Sequence, residues 1–147
     1  GLVVTISYMM YTLPISSINS YVSKNIGGSV LKTEDTTQAF IVYIKNNSSE
    51  CGIVSFDKKP FQRCVRRTIV LSEQKKYASD FFQIGNDGKI FVSFVCGGIN
   101  SDKLKTCNVT INRTKYSKNI AKEPFLFVIE FYAPSQELKA PIIEFSN

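Results

Sequence analysis

The apolar residues of this chain come in short bursts, and no run approaches the roughly 18 to 20 residues that span a bilayer. The bursts are rich in β-branched and aromatic side chains and are punctuated by Gly, Asn, Asp and Pro, which is the pattern of β-strands separated by turns. Residues 2–10 alternate, with Val4, Ile6 and Tyr8 on one face and Val3, Thr5 and Ser7 on the other, and predict a half-buried strand. Residues 39–45 place Phe40, Val42 and Ile44 opposite Ile41 and Tyr43, before the turn Asn46-Asn47-Ser48-Ser49. Further strands are expected at 52–56, 64–71, 81–84, 89–96, 107–112, 125–132 and 142–145, with a hairpin turn at Asn86, Asp87 and Gly88. Residues 16–29 read as a long polar loop, and only 72–80 has the composition of a short helix. Eight or nine strands at this spacing predict an all-β, immunoglobulin-like sandwich of antiparallel strands.

With 147 residues, the expectation is one domain over 1–133, followed by an extended connector or stem start at 134–147 that carries Pro134 and Pro141. Apolar residues make up 44% of the chain and charged ones 20%, a balance that excludes disorder. The first ten residues lack the basic start of a secretory signal, so the chain reads as an excised fragment whose targeting and anchoring segments lie outside it.

Histidine is absent, which excludes histidine-based catalysis and removes the commonest metal ligand. No G-x-S-x-G elbow is present. Asp35, Asp57, Asp80, Asp87, Glu123, Glu130 and Glu144 show no spacing that would pair two carboxylates for hydrolysis. The expectation is a protein that is not an enzyme and takes no cofactor or metal. The formal charge of +6 comes from lysines scattered over strands and loops, without a nucleic-acid motif, so nucleic acid is not an expected partner.

Cys51 and Cys64, and then Cys96 and Cys107, are too far apart in sequence for a zinc site of closely paired thiolates. Four cysteines allow three disulfide connectivities. Pairing Cys51 with Cys64 and Cys96 with Cys107 is expected, because each pair flanks a short polar loop between neighbouring strands. Asn46, Asn47, Asn108 and Asn112 each open an N-x-Ser/Thr glycan acceptor pattern. The alternation in 107–112 turns Cys107, Val109 and Ile111 inward and Asn108, Thr110 and Asn112 toward solvent. Disulfides and sequons together point to an extracellular setting.

Two surfaces are candidates for partner contact. In 124–132, if Phe125, Phe127, Ile129 and Phe131 face the core, then Leu126, Val128 and Glu130 share the opposite face as an apolar patch around one carboxylate. Between 57 and 76, Lys58, Lys59, Arg63, Arg66, Arg67, Lys75 and Lys76 outnumber Asp57 and Glu73, a cluster suited to anionic headgroups, sulfated glycans or an acidic protein.

The series AFIVYIKNNSSEC, PFQRC, VCGG, TCNVTI and FLFVIEF, spanning Thr33 to Phe131, resembles the immunoglobulin-like third domain of the hapless, or generative cell-specific, gamete fusogens, in a version from an AT-rich protist. The resemblance implies a domain of a class II fusion protein on the extracellular face of the plasma membrane. Such a domain folds back on a trimeric core as gamete membranes are drawn together at fertilisation. Its implied partners are other domains of the parent protein and homotrimer mates, with the membrane reached through segments outside the chain, and the tail at 141–145 would lead toward the stem. The alternative is a secreted or cell-surface adhesion domain of a parasite or virus, meeting a host protein or an antibody.

Overall fold

The computed structural model describes residues 2–72, 77–86, 89–120, 124–134 and 138–147, and the chain divides into two compact units, Gly1–Lys75 and Lys76–Asn147. The regular structure is mostly β, in antiparallel sheets.

The first unit begins with helix α1, Leu2–Tyr11, then strand β1, Leu13–Pro14. A continuous run of helical turns follows, as a 3-10 turn at Ile15–Ser17, helix α2 at Ile18–Tyr21 and a π-turn at Val22–Ile26. Strands β2 (Gly28–Asp35), β3 (Ala39–Asn46), β4 (Cys51–Lys59) and β5 (Arg63–Ser72) complete a sheet of order β1-β5-β4-β3-β2. One face of this sheet packs under the helical turns, where Ile18 and Val22 meet Val42, Ile44, Val54, Phe56 and Cys64. Tyr21 stands edge-on to Phe56 with ring centroids 5.7 Å apart. On the opposite face Ile41, Tyr43 and Ile53 are buried as well. Gly27 stops the helical turns in the left-handed region at φ 77°, its N–H bonding Val22 O, a position that favours a residue without Cβ.

Two expectations fail in this unit. Residues 2–10 form a helix and not a strand, and 16–29 holds helical turns and not a loop. The loop reading rested on the polar content of 16–29 and missed Ile15, Ile18, Val22 and Ile26, whose spacing of three and four residues is the helical period.

The second unit is a pair of three-stranded antiparallel sheets. Strands β6 (Tyr77–Asn86), β7 (Lys89–Gly98) and β10 (Phe125–Pro134) form one in the order β10-β7-β6. Strands β8 (Thr106–Ile111), β9 (Thr114–Asn119) and β11 (Ile142–Ser146) form the other in the order β11-β8-β9. Phe94, Cys96, Phe125 and Ile129 of the first sheet and Cys107, Val109 and Ile111 of the second share one buried cluster with Ile120. Phe145 of β11 packs on Tyr77 and Phe125 of the facing sheet, with centroids 5.4 and 5.9 Å away. Full burial of one such aromatic side chain stabilises by about 1.5–3 kcal/mol.

The short helix expected at 72–80 is not formed by the described residues there: Ser72 ends β5, and Tyr77 to Asp80 pair in register with Gly98 to Val95. Residues 73–76 lie outside the described residues, as do Asp87 and Gly88 of the expected hairpin, whose flanking Asn86 and Lys89 are paired. Ile142–Ser146 is a strand, antiparallel to β8.

Candidate functional site

The four cysteines all carry free thiols, and the sheets treat the two expected pairs in opposite ways. Cys51 opens β4 and pairs with Ser72 at the end of β5, whereas Cys64 near the start of β5 pairs with Lys58. Cys51 and the neighbour of Cys64 are therefore seven residues apart along one strand, roughly 23 Å at 3.3 Å per residue. A disulfide needs Cα atoms within about 7 Å. The expected Cys51 to Cys64 bond is overturned, because the two residues flank a hairpin lengthwise instead of facing each other across it.

Cys96 and Cys107 come from facing sheets of the second unit and both are fully buried. Interaction with the Cys107 side chain, and then burial, pushes the Cys96 thiol far above the usual range, while the Cys96 side chain pulls Cys107 down against its own burial. Tyr77 lies near enough for burial, and then both sulfurs, to raise its phenol. Burial likewise raises Cys64, against the adjacent Arg63 charge.

The sequons differ in how free their amides are. Asn46 is engaged with its own turn, its Oδ1 accepting from Ser48 and Glu50 N–H at 3.0 and 2.8 Å and its Nδ2 donating to Glu50 Oε1 at 3.1 Å. Asn47 is exposed. Asn108 donates to Ser146 Oγ and accepts from Ser117 Oγ, each at 3.1 Å, across three neighbouring strands. Asn112 and Arg113 form the two-residue turn between β8 and β9 with φ 46° and 73°, both left-handed as a type I′ turn requires. The Asn112 Oδ1 accepts from Lys139 N–H at 3.1 Å.

The face expected at Leu126, Val128 and Glu130 is only partly open. Leu126 is 6% exposed, which removes it from any partner-facing patch; Val128 is half-buried and Glu130 exposed. The opposite face behaves as expected, with Phe125 and Ile129 in the core and Phe127 and Phe131 packed against it.

The basic stretch divides by task. Lys58 is held by Asp35 and lies 6.0 Å from the centroid of the Phe40 ring. Arg67 reaches Asp57 at 3.4 Å. A β-bulge doubles Arg66 and Arg67 against one partner position, and both side chains are exposed. Arg63 turns away from any partner and caps helix α1, its Nη2 donating to Thr12 O at 2.7 Å and Met9 O at 3.4 Å. A cation on these terminal carbonyls also suits the negative end of the helix dipole. Lys75 and Lys76 lie outside the described residues.

The alternation of residues 2–10 does not foretell their exposure on a helix. Helix α1 contains no charged residue and buries none of its side chains. Tyr8 ties it to the β4–β5 turn by donating its hydroxyl to Pro60 O and standing edge-on to Phe61, 6.4 Å between centroids. Phe61, at the tip of that turn, is 88% exposed and left-handed at φ 63°, followed by Gln62 at φ 58°. Val4, Thr5, Tyr8, Met9, Pro60, Phe61 and Arg63 line a groove of about 540 Å³ between helix and turn.

Among the described residues no group of three or more His, Cys, Asp or Glu could hold a metal ion, and no helix is long and apolar enough to cross a membrane. Comparison with protein-family models, curated proteins and solved structures finds no match.

Proposed function

We propose that this chain acts outside the cell as a non-catalytic module whose second unit is stapled between its two sheets by a disulfide joining Cys96 and Cys107. The observation that supports it is the meeting of these two thiols, from facing sheets, in a fully buried core. In an oxidising compartment the two thiols lose two protons and two electrons to a thiol oxidant, and the bond closes. In the specific form that the resemblance implies, the module is the third domain of a class II gamete fusogen, and its work is mechanical: docking that helps offset the cost of bringing two membranes together. The resemblance, Thr33 to Phe131, draws strands from both units.

Two experiments test the two levels separately. Chain secreted from eukaryotic cells and digested without reduction should yield a peptide joined through Cys96 and Cys107; recovery of both as free thiols would sink the extracellular reading. Purified chain added to mixing gametes should lower the fraction that fuse, as a decoy for the docking surface. Unchanged fusion would remove the fusogen form and leave adhesion, for which the exposed Arg66 and Lys59 offer an acidic partner a contact.

A further inference from the structure

We infer that helix α1 and the Phe61 turn form a lipid-binding surface that seats this chain on the interface of an anionic membrane. The composition of α1 is the first ground. Leu2, Val3, Ile6 and Met10 fall on one side of the helix, and all are exposed, Val3 and Met10 by 77% and 76%. Tyr8, on the other side, makes the contact with the turn. An apolar stripe facing water, on a ten-residue helix with four adjacent β-branched residues, is poorly placed for stability. Insertion of the stripe among acyl chains stabilises it.

The second ground is Phe61. A bulky aromatic at φ 63° is held against an ordinary preference, and here the result is a ring projecting from the tip beside α1. Met9, exposed and lining the groove with Phe61, adjoins Ile6 one turn back along the helix and so carries the apolar surface of the stripe round to the turn, which Tyr8 and Arg63 hold against α1.

The third ground is charge, which selects the occupant. Residues 1–33 contain no Asp or Glu, and neither do residues 58–72, which carry Lys58, Lys59, Arg63, Arg66 and Arg67. Lys59 is exposed immediately before the turn. Asp35 and Asp57 engage Lys58 and Arg67, and Arg63 is spent on the helix end, so Lys59 is the cation offered beside the apolar surface, a combination that matches an anionic headgroup layer over buried acyl chains. A second copy of the chain would bring the same cations to the seam.

The sequence has no tryptophan, so Phe61→Trp supplies a single reporter at the tip while keeping an aromatic ring. With vesicles of phosphatidylcholine and phosphatidylserine, its emission should shift to the blue and the protein should sediment with the lipid; vesicles of phosphatidylcholine alone should bind less. In that background Met10→Glu and, independently, Val3→Glu should each weaken partitioning about tenfold or more, since either puts a charge into the apolar stripe. Lys59→Gln should weaken it about fivefold, one basic residue at the surface. Far-UV circular dichroism on each variant checks the fold. Absence of the blue shift with anionic vesicles overturns the inference. So does equal partitioning of a folded glutamate variant, or a dimer in light scattering that Met10→Glu dissolves while vesicles remain unbound.

Discussion

The two units bury their sheets against different layers. In the first, a five-stranded sheet is covered on one face by helical turns; in the second, two three-stranded sheets cover each other. The cysteines register this difference. Cys51 and Cys64 have twelve residues between them and end up at opposite ends of one hairpin ladder, whereas Cys96 and Cys107, with ten between them, meet in a core. Nearly equal spacing gives opposite outcomes, because a hairpin returns the chain alongside itself while a crossing between sheets brings it face to face. Loop length alone does not decide a disulfide; the element that the loop connects does.

The contrast can be broken most sharply at the cores. Phe94→Ala in the second unit and Phe56→Ala in the first should each cost about 3–5 kcal/mol in urea unfolding, as fully buried aromatic truncations do. A cost below about 1 kcal/mol at either would mean that its core is not the one described.

The thiols come next. Once oxidised, the second unit should lose about 3 kcal/mol on reduction or in Cys96→Ala, by closure of a short loop. Cys51→Ser should change stability by less than about 0.5 kcal/mol, as a partly exposed thiol with no bond to lose. Equal effects at the two sites would erase the contrast.

The turns offer a finer test. Phe61 and Arg113 are both non-glycine residues held left-handed, one in each unit. Replacing either with Gly should relieve about 1 kcal/mol of backbone strain, read from the unfolding midpoint. Phe61→Gly should also weaken binding to anionic vesicles, while Arg113→Gly should leave it unchanged. Arg63→Gln should cost about 0.5–1 kcal/mol by removing the cation from the C-terminal carbonyls of α1, with loss of helical signal in circular dichroism.

Much of the strand pattern was legible because alternation survives where one face is buried. Phe125, Phe127, Ile129 and Phe131 share one face by period alone, and that face lies in or against the core. Leu126 was misassigned because alternation marks which residues share a face and not whether that face is covered. Residues 2–10 misled for a related reason. Their alternation of Val4, Ile6 and Tyr8 with Val3, Thr5 and Ser7 reads as a strand, but Leu2, Val3, Ile6 and Met10 also satisfy the helical period, and a stretch this apolar fits both templates. What holds α1 is remote in sequence: Pro60, Phe61 and Arg63. Flanking-loop grounds favour a Cys96–Cys107 bond and a Cys51–Cys64 bond equally; the structure holds all four as free thiols and brings only Cys96 and Cys107 into one core. The exposed surface of α1 and Phe61 was hidden for the same reason as the helix, since Phe61 sits in PFQRC as an ordinary turn neighbour until its backbone sign is known.

The joining of β7 to β8 also bears on how the second unit yields under tension. Strand β11 lies antiparallel beside β8, with Ser146 opposite Thr106, so a pull on β11 is passed to the strand that carries Cys107. With Cys96 bonded to Cys107, the ten residues between them cannot be drawn out, and the extended length of the unravelled unit is shorter by roughly 35 Å than in the reduced protein. The redox state of one buried pair would thus set how far the chain can reach before its backbone is taut.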